Sequence, residues 1–241
     1  MAALHSRYIA GNLVFWDTHR KRLVDAIGPD VVKYFNDFTE MSISSDAIPG
    51  WTTTLVETGG GESTLTHTDA IAGIARLTTD ATEDDGITIT QDGEKWELTS
   101  GQSALYFGAL FRASEATQID WFMGLSTTTT TALAGVDTAV YFDKLDGSTT
   151  ITGHTELDTT ASDTASTATF AASTDTLVEF FYDGLAATPG VEFFVNGTSL
   201  GSLTTNLPDD EFMKIVIEVL TGSGAARTLD LDWVRVIQIG R

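Results

Sequence analysis

The sequence predicts an all-β chain: a two-sheet antiparallel sandwich of jelly-roll type, preceded by a short N-terminal arm or β-hairpin. Three observations predict it. Runs rich in β-branched and aromatic residues recur through residues 73–240, most of them alternating apolar and polar. Between runs stand Asp85-Gly86, Asp92-Gly93, Asp146-Gly147, Asp183-Gly184 and Asn196-Gly197, dipeptides that supply the positive φ angles of tight hairpins. The charge divides as well, because residues 1–36 hold five basic against three acidic residues while the rest of the chain holds eight against thirty-one.

The strands follow in order. "GIARLTT" (73–79), "GITIT" (86–90), "KWELT" (95–99), "ALYFGALFR" (104–112), "IDWFMGL" (119–125) and "AVYFDKL" (139–145) are six short candidates. "TLVEFFYDG" (176–184), "GVEFFVNGTSLGSL" (190–203), "KIVIEVLTG" (214–222) and "TLDLDWVRVIQIG" (228–240) complete the set. In the last, Leu229, Leu231, Val236 and either Trp233 or Val234 share the buried face, with Asp230 and Asp232 opposite. Roughly a dozen short strands with a turn signal every ten or so residues are the pattern of a sandwich. The threonine-rich stretches 126–135 and 158–173 read equally as polar edge strands or solvated loops.

Totals exclude several classes. The chain has 241 residues, 42% hydrophobic, and a net charge of −21. A surface that acidic repels phosphate, so nucleic acid and anionic membrane are not expected partners of the body. No apolar run is long enough to span a bilayer, and "MAALHSRYIAGNLVFWD" lacks the pattern of an export signal. Without cysteine there is neither a disulfide framework nor a thiolate site.

Residues 1–36 are read as the N-terminal docking arm and 37–241 as the sandwich domain. "NLVFWD" and "RLVDAIG" can pair as a hairpin with a basic cluster at its tip. A lone two-stranded ribbon is marginal in water, so this one needs a surface to lie on. Phe15, Trp16, Arg20, Lys21, Arg22 and Lys33 are the candidate docking residues, aromatic area plus cations that pair with carboxylates. The alternative is that the hairpin folds back on its own acidic body.

Catalytic chemistry is hard to place. A glycosidase needs two carboxylates about the scissile bond, and Asp230 and Asp232 in "LDLDW" have the i, i+2 spacing, but Arg235 stands where a Glu-x-Asp-x-x-Glu strand would carry its third acid. His5, His19, His67 and His154 are scattered, none in a motif that pairs it with a serine. The chain is therefore read as not an enzyme. Asp80, Glu83, Asp84 and Asp85 are hard ligands that suit calcium, and equally an acidic turn; no cofactor is expected.

"YFNDF", "PGWTTTLVETGGGESTLT", "GIARLTTDATEDDGITI" and "LYFGALFRASEATQIDWFMGL" together resemble the jelly-roll structural proteins of tailed bacteriophages. Those proteins are related in fold to concanavalin A-like lectins and laminin-G modules. The ending "VEFFVNGTSLGSL…LDLDWVRVIQI" is similar to the last strands of such modules, and "GNLVFWDTHRKRLVDAIGPDVV" to the leading segment of such virion proteins. The resemblance implies a capsid decoration (cement) protein, often a homotrimer. It would be bound to the major capsid protein on the outer surface of the virion after assembly in the host cytoplasm. A carbohydrate-binding module for surface glycans is the other expectation, with Trp51, Trp96 and Trp121 as a possible sugar platform against their ordinary role in a core.

Overall fold

The computed structural model describes residues 4–17, 22–41, 47–58, 61–68, 73–209 and 211–240. Three strands come first: β1 (Leu4–Ile9), β2 (Asn12–Asp17) and β3 (Arg22–Ile27), a small antiparallel sheet in that order. Then follow β4 (Val31–Asn36), β5 (Trp51–Val56), β6 (Thr64–Thr68), β7 (Ile74–Thr78), β8 (Gly86–Gln91), β9 (Ala104–Ala113) and β10 (Ile119–Ser126). After a 3-10 turn at Ala132–Ala134 come β11 (Ala139–Lys144), β12 (Thr150–Leu157), β13 (Thr160–Asp163), β14 (Ala168–Thr169) and β15 (Thr176–Asp183). The chain ends with β16 (Gly190–Val195), β17 (Thr198–Leu203), β18 (Lys214–Thr221) and β19 (Thr228–Ile239). No α-helix occurs among the described residues.

Two antiparallel sheets face each other. The front sheet runs β13-β12-β11-β10-β18-β8-β5, with β14 also on β12. The back sheet runs β17-β16-β15-β9-β19-β7-β6, and β4 joins it along the second half of β19. Consecutive strands alternate between sheets at β8–β9–β10 and β17–β18–β19, so the inner faces must be apolar on both sides. They are: Trp96, Trp121, Phe107, Phe111, Phe142, Phe180 and Phe193 are buried in one core. Phe107 stacks on Phe180 at 4.9 Å, and Phe111 meets Trp121 edge-on at the same separation. Gly153 in β12 lies against the Phe193 ring, where a Cβ would come within 2.5 Å.

Alternation fails once in β19, at a bulge between Leu231 and Trp233. Leu229, Leu231, Val234 and Val236 therefore face the core while Trp233 faces out, which settles the choice that the alternating pattern left open. "KWELT" differs from expectation: Trp96 makes a single bridge with Met213 and donates its indole N–H to Gln91 at 2.9 Å. The turn at Asn196-Gly197 has both residues at positive φ, 50° and 76°, as a two-residue hairpin requires.

The N-terminal segment is not an extended arm. β2 and β3 form the expected hairpin, β1 adds a third strand, and the sheet lies on the outer face of the back sheet. Val14, Trp16, Leu23 and Ala26 bury themselves there against Ala104, Tyr106, Phe181, Ile237 and Ile239. β4 belongs to the sandwich, so the boundary that composition placed at residue 36 falls inside the back sheet and the N-terminal unit ends near Ile27.

Candidate functional site

In the front sheet Trp121, Met123 and Leu125 of β10 point into the core, as do Ile215, Ile217 and Val219 of β18. Their neighbours must point outward, and these are unusual for an outer face: Asp120 and Phe122 on β10, Glu218 and Leu220 on β18. Asp120 pairs with Leu220 and Phe122 with Glu218, so the two carboxylates are diagonal neighbours on adjacent strands. Both are buried, Glu218 fully and Asp120 to 6% exposure. The 127–138 segment joining β10 to β11 lies over Glu218, while Asp120 takes the Asp146 N–H from the turn after β11. Ala132, Leu133 and Val136 of that segment pack on Phe122, Tyr141 and Val216.

Beside this cover is a pocket of about 410 Å³. Val56, Leu133, Leu145 and Leu220 give it apolar walls, and Asp84, Asp120, Asp146 and Glu218 bring four carboxylates to the same space. Burial pushes the Asp120 carboxyl up to about 6; the Asp146 and Asp84 charges add to this, while the Asp146 N–H and Lys144 oppose it. Burial also raises Glu218, against the pull of donors that favour its charge. Those donors are Leu133 N–H at 2.7 Å, the Thr88 hydroxyl at 3.1 Å and Ala132 N–H. Lys144, fully buried, donates its ammonium to the Ile119 carbonyl, and burial lowers it despite Asp120, Asp146 and Glu115.

A second polar group continues across the face. His154 on β12 stacks on Tyr141 at 4.7 Å, and Tyr141 on Phe122 at 4.5 Å. His154 is held from both ring nitrogens, by Asp143 at 2.9 Å and Asp163 at 2.8 Å. Burial alone would lower it, but the two carboxylates win and it is raised above the usual imidazole range. The Tyr141 hydroxyl donates to Glu156 at 3.0 Å, and burial with the nearby carboxylates raises it well above an ordinary phenol.

The residues expected from sequence fall elsewhere. Trp16 is buried, 4.7 Å from Phe181 in an edge contact, with Arg7 over its ring at 4.8 Å; it anchors the N-terminal sheet and is not free contact area. Phe15 is half-buried on the same strand. Lys33 pairs with Asp25 at 2.9 Å, which spends its charge within the molecule. Arg20 and Lys21 lie outside the described residues, as does the side chain of Arg22. Trp51, Trp96 and Trp121 belong to the core, so they form no sugar platform. Asp230 is held by Arg76 through two bonds of 2.6 and 2.8 Å on the back sheet, away from the pocket. In the acidic turn, Asp85 takes both the N–H and the hydroxyl of Thr58 at 2.7 Å, and Asp80 takes Ala81 N–H and the Thr82 hydroxyl. Among the described residues no group of three or more acidic or histidine side chains is disposed to hold a metal ion.

No family model matches the chain, and no curated protein matches its sequence. Solved structures do match in shape. An endo-1,3-beta-glucanase from Streptomyces sioyaensis has 12% identity over 90% of this chain and 100% of its own, with a TM-score of 0.61. The Bacillus licheniformis beta-glucanase has 14% identity over 85% and 97%, TM-score 0.56. The carbohydrate recognition domain of Emp46p has 10% identity over 83% and 93%, TM-score 0.57. The fold is the concanavalin A-like jelly roll. At these identities the likeness is one of fold, and it says nothing of a capsid or a trimer.

It does overturn the expectation that the chain is not an enzyme. Glycosidases recur among the structures that share this sandwich. The expectation rested on finding neither a nucleophile motif nor a full set of carboxylates along one strand, whereas the pair brought together here comes from two.

Proposed function

We propose that this protein recognises a carbohydrate in the pocket beside Asp120 and Glu218. One observation carries the reading: four aliphatic side chains and four carboxylates converge on a single concave space of a size that ligands use. Aliphatic walls suit the C–H faces of a sugar ring, and ionised carboxylates accept strong hydrogen bonds from its hydroxyls. The same charges disfavour a uronate, so a neutral glycan is the expected class. That glucanases and a carbohydrate recognition domain share the fold supports this choice. Titration calorimetry with β-1,3- and mixed-linkage glucan oligosaccharides tests it. Saturable binding is expected, weakened about tenfold by Asp84→Ala with Asp146→Ala, a loss of about 1.4 kcal/mol. Equal affinity in the double variant would remove the pocket from the reading.

The carboxylate pair favours a second reading at the same place, glycoside hydrolysis. Asp120, raised toward neutral pH, has the character of a proton donor. Glu218, surrounded by donors that favour its charge, has that of the partner carboxylate. Reducing-sugar release from those glucans is expected to fall about 10²–10⁴-fold in Asp120→Asn. No release above that variant's level would leave recognition alone.

The N-terminal face supports the decoration proposal, in which a homotrimer docks on a major capsid protein at the outer surface of a phage head. Tyr8 and Ile27 of the N-terminal sheet and Phe35 of β4 are exposed at 74%, 57% and 58%, and the sequence between β2 and β3 is basic, with Arg20 and Lys21 followed by Arg22. Co-sedimentation with capsids stripped of the protein should saturate at a fixed copy number. Loss of pelleting is expected in a Tyr8→Ser, Ile27→Ser, Phe35→Ser variant, and undiminished pelleting would exclude this face.

A further inference from the structure

The loop between β10 and β11 is longer than its hairpin needs. Thr127 N–H already donates to the Thr138 carbonyl at 3.0 Å, so a two-residue turn could follow directly. Instead residues 128–137 lie back across the outer face of the front sheet as a strap. They cover Phe122, Tyr141 and Val216 with only Ala132, Leu133 and Val136. Glu218 fastens the strap through the Leu133 N–H. Just before that bond Thr131 sits at φ 55°, ψ 39°, a left-handed conformation that a β-branched residue adopts at a cost on the order of 1–3 kcal/mol. Beyond this thin apolar seal the strap is tied by Glu218 on the Leu133 and Ala132 N–H groups and by the Asp137 carbonyl, which accepts the Thr159 N–H at 2.8 Å. These are few ties for ten residues that also store backbone strain.

We infer that the strap is a lid over a further stretch of the binding site, continuous with the pocket and serving a longer piece of the same glycan. The inference rests on the carbohydrate reading. Leu133 and Thr131 form one wall of the pocket, so lifting the strap joins that space to the covered face. Phe122 stacks on Tyr141 and Tyr141 on His154, so the three rings offer a ridge along the covered face. Ser126 and Glu218 become free to meet sugar hydroxyls when the strap lifts.

Two experiments separate the lid from the pocket. In the first, Thr128–Asp137 is replaced by Asn-Gly, and affinity for β-1,3-glucan oligosaccharides is measured from the disaccharide to the hexasaccharide. The full chain should level off at short lengths and the trimmed chain should keep gaining, by about tenfold at the longest. Identical length profiles would overturn the lid while leaving the pocket reading intact. No binding by either would overturn both. Should the trimmed chain not fold, the second experiment decides. Hydrogen exchange at the Ala132 and Leu133 amides of the intact protein should be at least about tenfold faster than in β10 and β18, and faster again in Leu133→Ala. Protection equal to that of the core strands would overturn the lid.

Discussion

Replacing Trp16 by alanine is expected to cost about 3–5 kcal/mol of the free energy that holds the N-terminal sheet in place. Trp16 is 7% exposed and lies edge-on against Phe181, the largest side chain that the sheet contributes to its interface. The sheet has three strands and little core of its own, so its stability is borrowed from the back sheet. Loss of the indole should therefore appear as local opening. Amide protection across β2 and β3 should drop by at least about a hundredfold, while β9, β10 and β18 keep theirs. Phe15→Ala, on the half-buried side of the same strand, should change protection far less. Unchanged protection in Trp16→Ala would mean that ladder bonding, and not the apolar contact, fixes the sheet.

That result would also explain why the arm was readable only in part. The hairpin follows from two apolar runs about a basic tip, and the tip draws attention because it is basic in an acidic chain. Nothing local says which way its aromatic side faces. Phe15 and Trp16 are adjacent, so one must point to each face, and the bulge between them shifts the register. Whether that buried face meets another molecule or its own body depends on Tyr106, Phe181, Ile237 and Ile239. Each of these sits in a strand whose other face fills the core.

The strands themselves were legible where one face is strongly apolar, as in β10, β15, β18 and β19. β12 was not: its inward positions include Ile151, Gly153 and Thr155, and the gap at Gly153 is filled by Phe193 from the opposite sheet. The pocket was hidden for a related reason. Asp120 and Glu218 stand in "IDWFMGL" and "KIVIEVL", far apart in sequence, and become neighbours only when β18 pairs with β10. A single carboxylate at an outward position of an otherwise apolar strand is the signal that could have found them, since an outer face open to water has no reason to be that apolar. The strap gave the opposite impression, its threonine run reading equally as a polar edge strand or a solvated loop although Ala132, Leu133 and Val136 within it seal the sheet.

The buried carboxylates should make the protein less stable as pH rises from 4 to 7.5, with Asp120 as the main source. Its carboxyl is raised from 3.8 to about 6, so the folded state holds that proton more tightly than the unfolded chain. The resulting stabilisation is complete below pH 3.8 and is lost as pH climbs through 6, by up to about 3 kcal/mol for a shift of this size. Glu218 and Glu156, raised by burial, act in the same direction, and so does His154, whose imidazole is raised by Asp143 and Asp163 against the opposing effect of burial. Asp80 and Glu115 are held down by the backbone donors of Ala81 and Thr117 and act oppositely, but at the surface, where water screens them. Asp120→Asn keeps an oxygen for the Asp146 N–H and removes the buried charge. The variant should thus gain about 1–3 kcal/mol at pH 7.5 in urea unfolding, gain nothing at pH 4, and flatten the pH profile between them. No gain at pH 7.5 would mean that Lys144 compensates the Asp120 charge in full. A gain in stability joined to a loss of glucan hydrolysis would be the mark of a carboxylate kept at a cost to the fold for the sake of chemistry.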